Sequence, residues 1–266
     1  MISRRFRLVA SDLDGTLLNT AQEVTPRSRA ALARVSAAGG VVVLITGRPS
    51  RLVLPLAAEL ELSGHVICSN GAAIHRLSDG GAEEVRGLAP AVLRRAVPLL
   101  RRVCPDMGLA LEWGNQMQAE TAYRDAPDSV NDVLDIVDIV PPILKMMARS
   151  ASLPPPELAQ LINTCSQEWH ASTSGAPFAE IAAQGVNKSA ALAYLCGVLG
   201  FNAAEVLAFG DAPNDLPLLA WAGQGVAVAN AEPEVRALAD KLTLSNDEDG
   251  VAAVLERLLA AGEIGG

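Results

Sequence analysis

The sequence predicts a doubly wound α/β fold, a parallel sheet with helices on both faces, interrupted by an inserted α+β domain. Three observations carry this. Short apolar runs alternate with helix-period segments from the start of the chain and again beyond residue 187. Between them the pattern changes, with proline breaks at Pro141-Pro142 and Pro154-Pro155-Pro156 and fewer apolar runs. Two acidic clusters, Asp12-Leu13-Asp14-Gly15-Thr16 and Gly210-Asp211-Ala212-Pro213-Asn214-Asp215, each follow an apolar run and share a local form, although almost two hundred residues separate them.

The elements follow in order. Residues 6–11, 40–46 and 65–69 read as buried strands, and residues 25–38 and 50–60 as the helices between them. Thr25-Pro26 supplies a hydroxyl cap and a proline at the first helical position. In the interruption, residues 91–103 and 156–167 have amphipathic helical spacing, and residues 109–120 and 143–149 read as strands. The first rhythm then resumes. Residues 188–199 are helical, 206–210 a strand, 213–220 helical, 225–228 a strand, 232–240 helical, and 250–259 a closing helix. The core is therefore residues 1–83 and 186–266, and the insert residues 84–185.

Composition narrows the function. The 266-residue chain is 50% hydrophobic, enough for a full core. A net charge of −9 argues against a nucleic-acid backbone partner, and nine aromatic residues argue against base-stacking platforms. No apolar run approaches membrane-spanning length, and the basic residues 1–5 precede an apolar stretch too short for a signal peptide. Cys68, Cys104, Cys165 and Cys196 form no CxxC pair and read as reduced thiols of a cytoplasmic protein.

In an open parallel sheet, ligands bind beyond the carboxyl ends of the strands. The residues just after four of the strands are Asp12, Thr46, Ser69 and Asp211, all polar. Any one of them could be a turn former or helix cap. Together they form a ligand crevice. Ionised aspartates at the end of a core strand are costly unless paired. A hard cation such as Mg²⁺, which takes oxygen ligands, would pair with them, and the two acidic clusters read as halves of one metal site that handles phosphate.

At these residues the chain resembles the haloacid dehalogenase superfamily of phosphatases, most of all its Cof-type branch. The matching motifs are Asp12-Leu13-Asp14-Gly15-Thr16, Thr46-Gly47-Arg48, Lys188, and Gly210-Asp211 with Asn214-Asp215. Ser69-Asn70-Gly71-Ala72, Gly185-Val186-Asn187-Lys188 and Asn246-Asp247-Glu248-Asp249-Gly250 also fit that branch. Ser189 stands where the branch often has glycine, and no reacting group is lost.

The resemblance implies a Mg²⁺-dependent phosphatase acting on a small phosphomonoester, with the insert as a cap over the active edge. Asp12 is then the nucleophile that forms an aspartyl-phosphate, and Asp14 the general acid and base. Asp12 and Asp211 side chains and the Asp14 backbone carbonyl hold the metal. Thr46, Gly47, Lys188, Asn214 and the Leu13 amide bind phosphate, and Asp215 orients Lys188 or a metal-bound water. Arg48 either reaches the substrate or the insert, or is a solvated arginine at a helix start. The expected partner is a small phosphorylated metabolite, with no nucleic acid and no membrane.

Two rivals stand beside hydrolysis: a phosphosugar mutase on the same scaffold, and a non-catalytic ligand-binding homologue. Dehalogenation is disfavoured, since it needs neither the acid at Asp14 nor a metal. His65, His75 and His170 show no paired metal spacing and read as structural or surface residues. Trp113, Trp169, His170 and Ser174 of the insert are each more simply packing or surface residues than substrate contacts. Arg94, Arg95, Arg101 and Arg102 are most simply solvated charge on a helix face.

Overall fold

The computed structural model describes residues 6–124, 128–138, 140 and 142–265. The basic residues 1–5 and Pro141 lie outside the described residues. The chain divides into two units, Met1–Glu83 with Lys188–Gly266, and Glu84–Asn187.

The first unit is built on strands β1 (Leu8–Ser11), β2 (Val41–Ile45), β3 (His65–Cys68), β4 (Ala73–Arg76), β5 (Ala82–Val85), β11 (Val206–Gly210), β12 (Gln224–Ala227) and β13 (Lys241–Leu242). They form one eight-stranded sheet in the order β13-β12-β11-β1-β2-β3-β4-β5. The pairs from β13 through β3 are parallel, and β4 returns antiparallel to β3. The chain leaves β1 toward β2 on one side and later returns to its other side as β11. The strand order therefore reverses at β1, the place where such sheets open a crevice beyond their carboxyl ends.

Side chains alternate along these strands, which explains the helices on both faces. Val9, Val42, Leu44, Leu207 and Phe209 pack with Leu32, Val35, Val53 and Leu255. These belong to helices α1 (Pro26–Ala37), α2 (Ser50–Glu59) and α8 (Gly250–Ala260). Leu8, Ala10, Val43, Ile45 and Ala208 point the other way and pack with Leu192, Leu195, Leu218 and Val235. Those come from α5 (Lys188–Leu199), α6 (Leu216–Trp221) and α7 (Pro233–Leu238). The Thr25 cap is real, its hydroxyl accepting the Ser28 N–H at 3.1 Å.

The second unit is a five-stranded sheet in the order β7-β6-β8-β10-β9, antiparallel throughout. Its strands are β6 (Gly108–Trp113), β7 (Gln116–Ala119), β8 (Lys145–Arg149), β9 (Trp169–Ser172) and β10 (Ala179–Ala183). Helices α3 (Pro90–Val103) and α4 (Pro155–Cys165) cover one face through Leu93, Val97, Leu100, Leu158 and Ile162. Residues 109–120 are not one strand: Gly114, at φ +48°, and Asn115 turn the chain into a two-residue hairpin.

Trp113 and Trp169 both belong to this second core, as their packing reading required. Arg94, Arg95 and Arg102 are exposed on α3, as solvated charge would be, and only Arg101 departs from expectation. Arg94 pairs with Asp138, Arg95 with Glu168, and Arg101 with both Asp132 and the buried Glu120. Arg101 is thus held by an internal carboxylate rather than by solvent alone. His65 meets Glu83 at 2.5 Å, and all four cysteines are free. No described helix is long and apolar enough to cross a membrane.

Candidate active site

Every residue of the expected centre lies in the first unit, at or just beyond the carboxyl ends of its strands or at the start of α5. Asp12 follows β1, Thr46 follows β2, Ser69 follows β3, and Asp211 follows β11. Lys188 opens α5, and Asn214 and Asp215 lie in the turn before α6. The sheet brings segments from both ends of the chain to one edge.

The centre is a buried knot of charge. Lys188, 1% exposed, sets its Nζ 2.9 Å from Asp12 Oδ1 and 2.7 Å from Asp215 Oδ1. Asp215, 0% exposed, also accepts the backbone N–H groups of Asp211 and Ala212 on Oδ2, both at 3.1 Å. Its carboxylate is therefore anchored on three sides and fixes Lys188 against Asp12. Gly210 makes room for this anchor, because a Cβ there would lie 2.5 Å from that of Asp215.

Asp12, Asp211 and Asp215 each offer a carboxylate oxygen, and these oxygens lie within 4.8 Å of one another. Asp211 accepts the Thr16 hydroxyl at 2.6 Å on Oδ1. Its Oδ2 packs onto Gly15, where a Cβ would sit only 2.4 Å away; at φ +74° that position suits glycine on backbone grounds as well. Gly15 O in turn accepts the Asn230 side-chain amide at 2.7 Å.

Burial sets the electrostatics. It drives the Asp12 carboxyl well above the usual carboxylate range; Lys188 opposes this, and Asp215 and Asp211 add to it. Burial likewise raises Asp211, against the pull of the Thr16 hydroxyl, so that it is pushed up to about 6. The Lys188 ammonium moves upward too, its carboxylate neighbours outweighing desolvation. Three carboxyl groups face one ammonium, and hard oxygen donors so arranged suit a divalent cation such as Mg²⁺.

Asp14 stands apart. Its carboxylate is not part of the cluster and faces Arg48, which donates from Nε to Oδ2 at 2.8 Å and from Nη2 to Oδ1 at 2.5 Å. Arg48 is thus neither simply solvated nor directed only outward. Thr46 Oγ1 accepts the Arg48 N–H at 3.1 Å. Asn214 donates to Asn70 Oδ1 at 3.0 Å, while Asn214 Oδ1 has no hydrogen-bond partner among the described residues. Ser69, Asn70 and Gly71 hold three successive left-handed conformations, at φ +49°, +55° and +96°, a strained backbone of the kind that clusters at functional sites. Leu13 is wholly buried in the turn after Asp12, and Gly47 lies between Thr46 and Arg48.

Sequence reasoning passed over Thr16 and Asn70 as individual site residues, although both stand inside quoted motifs. Asn230 gave no signal at all, because among the described residues it meets the site through a backbone carbonyl.

A model of the haloacid dehalogenase-like hydrolase family matches residues 9–255. The chain is 32% identical over 271 residues to the Bacillus subtilis (strain 168) protein named "Putative phosphatase YxeH", spanning 96% of this chain and 99% of that one. It is 27% identical to the 5-amino-6-(5-phospho-D-ribitylamino)uracil phosphatase YcsE of the same organism, over 94% of each. Among solved structures it is similar to a haloacid dehalogenase-like hydrolase from Bacteroides thetaiotaomicron, with a TM-score of 0.77 at 29% identity, covering 96% of this chain and 100% of that chain. The chain belongs to the haloacid dehalogenase-like hydrolases, in their Cof-type branch, and is a hydrolase of phosphomonoesters.

Proposed function

We propose that the protein hydrolyses a small phosphorylated metabolite, a phosphosugar or a similar phosphomonoester, through an aspartyl-phosphate on Asp12, with Mg²⁺ as its cofactor. The observation that carries this reading is the buried Asp12 carboxylate, held by Lys188 beside Asp211 and Asp215. A phosphorylated polyol such as the one in the name of YcsE belongs to this substrate class.

Asp12 and Asp211, with the Asp14 backbone carbonyl, would hold Mg²⁺, which when bound neutralises phosphoryl charge. The chain's own groups do the rest. Asp12 attacks phosphorus; the bond to the ester oxygen breaks, and Asp14 delivers a proton to that oxygen. In the second half Asp14 takes a proton from water, the water oxygen attacks phosphorus, and Asp12 leaves as carboxylate with release of inorganic phosphate. Lys188, Thr46 and the amides of Leu13 and Gly47 meet the phosphoryl oxygens, with Asn214 as a further donor. Asp215 keeps Lys188 in place. The inserted unit, residues 84–185, sets which alcohol is accepted. Four free cysteines suit residence in the cytoplasm.

The test is release of inorganic phosphate from a panel of phosphorylated metabolites, with Mg²⁺ and with chelator. Asp12→Asn, checked for deamidation, serves as the control. Phosphate release that needs both Asp12 and the divalent ion is the expected result. An isomeric phosphate ester in place of free phosphate would make the protein a mutase. No turnover of any ester would leave a binding protein.

A further inference from the structure

Arg48 grips Asp14 at two points, and the grip is itself fixed. The Arg48 N–H donates to Thr46 Oγ1 at 3.1 Å, and its carbonyl accepts the Ser69 N–H at 3.0 Å. The loops after β2 and β3 therefore hold the arginine backbone on both sides. From that base the guanidinium meets both Asp14 oxygens, Nε to Oδ2 and Nη2 to Oδ1. A planar fork on a carboxylate fixes direction as well as distance. The side chains are 25% and 42% exposed, and ion pairs this open contribute little to stability. Direction is what the pair supplies.

We propose that Arg48 is the positioning residue for Asp14, orienting its carboxyl group toward the leaving oxygen and away from the Asp12, Asp211 and Asp215 carboxylates. This rests on the reading of Asp14 as proton donor given above. The donor step requires a proton on one Asp14 oxygen. Nε can keep its hold on Oδ2 while Oδ1 carries that proton to the ester oxygen. Nη2 then has another acceptor in reach, because it already contacts Gln22 Oε1. The arginine thus keeps one contact as a pivot and exchanges the other.

The experiment uses two esters of similar size, benzyl phosphate, which expels an alkoxide, and p-nitrophenyl phosphate, which needs little protonation. Aspartyl-phosphate formation is measured in single-turnover quench with the full chain and Mg²⁺. Arg48→Ala should slow formation from benzyl phosphate at least about tenfold more than from p-nitrophenyl phosphate, a part of the 10²–10⁴ that a general acid supplies. Arg48→Lys, which keeps charge without the fork, should show the same selective loss. Added guanidinium at millimolar concentration should restore Arg48→Ala on benzyl phosphate alone. In an Asp14→Asn background, Arg48→Ala should bring no further loss, since the arginine would have nothing left to aim.

An equal loss on both esters, a wild-type-like Arg48→Lys, or an additive loss in the Asp14→Asn background would each overturn the proposal. Arg48 would then act on the phosphoryl group directly or through charge alone. Asp14→Asn by itself keeps the two readings separate. If that variant does not discriminate between the esters, the acid assignment fails and the role of Arg48 falls with it; if it discriminates while Arg48→Ala does not, the role of Arg48 alone fails.

Discussion

Replacing Asp211 by asparagine should make the metal-free protein more stable at neutral pH while removing its response to Mg²⁺. Burial raises the Asp211 carboxyl from 3.8 to about 6. The folded state therefore holds this proton more tightly than the unfolded chain does, and the sign follows. The contribution is most favourable below pH 3.8 and is lost as pH climbs to about 6, a difference of about 3 kcal/mol at 1.36 kcal/mol per pH unit. Asparagine does not ionise, and its Oδ1 still accepts the Thr16 hydroxyl now bonded at 2.6 Å. Denaturant unfolding with chelator, from pH 4 to pH 7.5, should show the two proteins converging at the acid end. The variant should gain by up to about 3 kcal/mol at the neutral end. Saturating Mg²⁺, at a hundredfold its dissociation constant, should then stabilise the parent by about 2.7 kcal/mol and the variant by far less. A variant less stable than the parent at pH 7 without metal, or a gap that does not change with pH, refutes the reasoning.

Lys188→Met should cost about 3–5 kcal/mol in the metal-free protein at pH 8, because it strands two buried carboxylates; equilibrium unfolding reads this directly, and a loss below 1 kcal/mol would contradict it. Gly15→Ala should impair metal-dependent turnover and Mg²⁺ stabilisation together, since its Cβ would meet the Asp211 carboxylate at 2.4 Å; calorimetric titration of Mg²⁺ is the check, and unchanged affinity would count against it. Asp12→Asn should abolish turnover yet keep the unfolding midpoint at or above that of the parent, because a buried charge is removed; substantial turnover by the undeamidated variant would exclude the covalent route. Exchanging residues 84–185 for the corresponding insert of a relative should change which phosphorylated metabolites are hydrolysed more than it changes p-nitrophenyl phosphate hydrolysis; an unaltered ranking across the panel would rule out that role.

What the sequence made legible follows from local signals. β11 and α5 carry dense apolar runs bounded by glycine or a polar start, and their bounds match residue for residue. β10 and β5 were not legible, because Ala-Glu-Ile-Ala-Ala and Ala-Glu-Glu-Val resemble helix or loop on propensity alone. In β10 the buried Glu180 is matched by Lys145 at 2.7 Å, a partner on another strand that no local window contains. β13 is two residues long and exists only as an edge beside β12. In the site, the motifs marked Asp12, Asp211 and Lys188, since acidic residues after core strands need a reason to be there. The Arg48–Asp14 pair was hidden for a different reason. Each residue stands in its own motif, and only the adjacency of β1 and β2 brings the two together.

The place of β1 in the sheet has a consequence for synthesis. Leu8 pairs with Val206, and Ser11 with Phe209. One side of this apolar strand must wait for a partner nearly two hundred residues later. At roughly 5–20 residues per second, the ribosome leaves that edge open for about 10–40 s. β2 can arrive early and cover the other side, so the nascent chain presents a half-finished sheet whose innermost strand is temporarily outermost. Unpaired apolar edges of this kind invite pairing with other chains. The residues that complete the acidic knot arrive with the same late segment, so the protein's vulnerability during synthesis and its lack of a working centre end together.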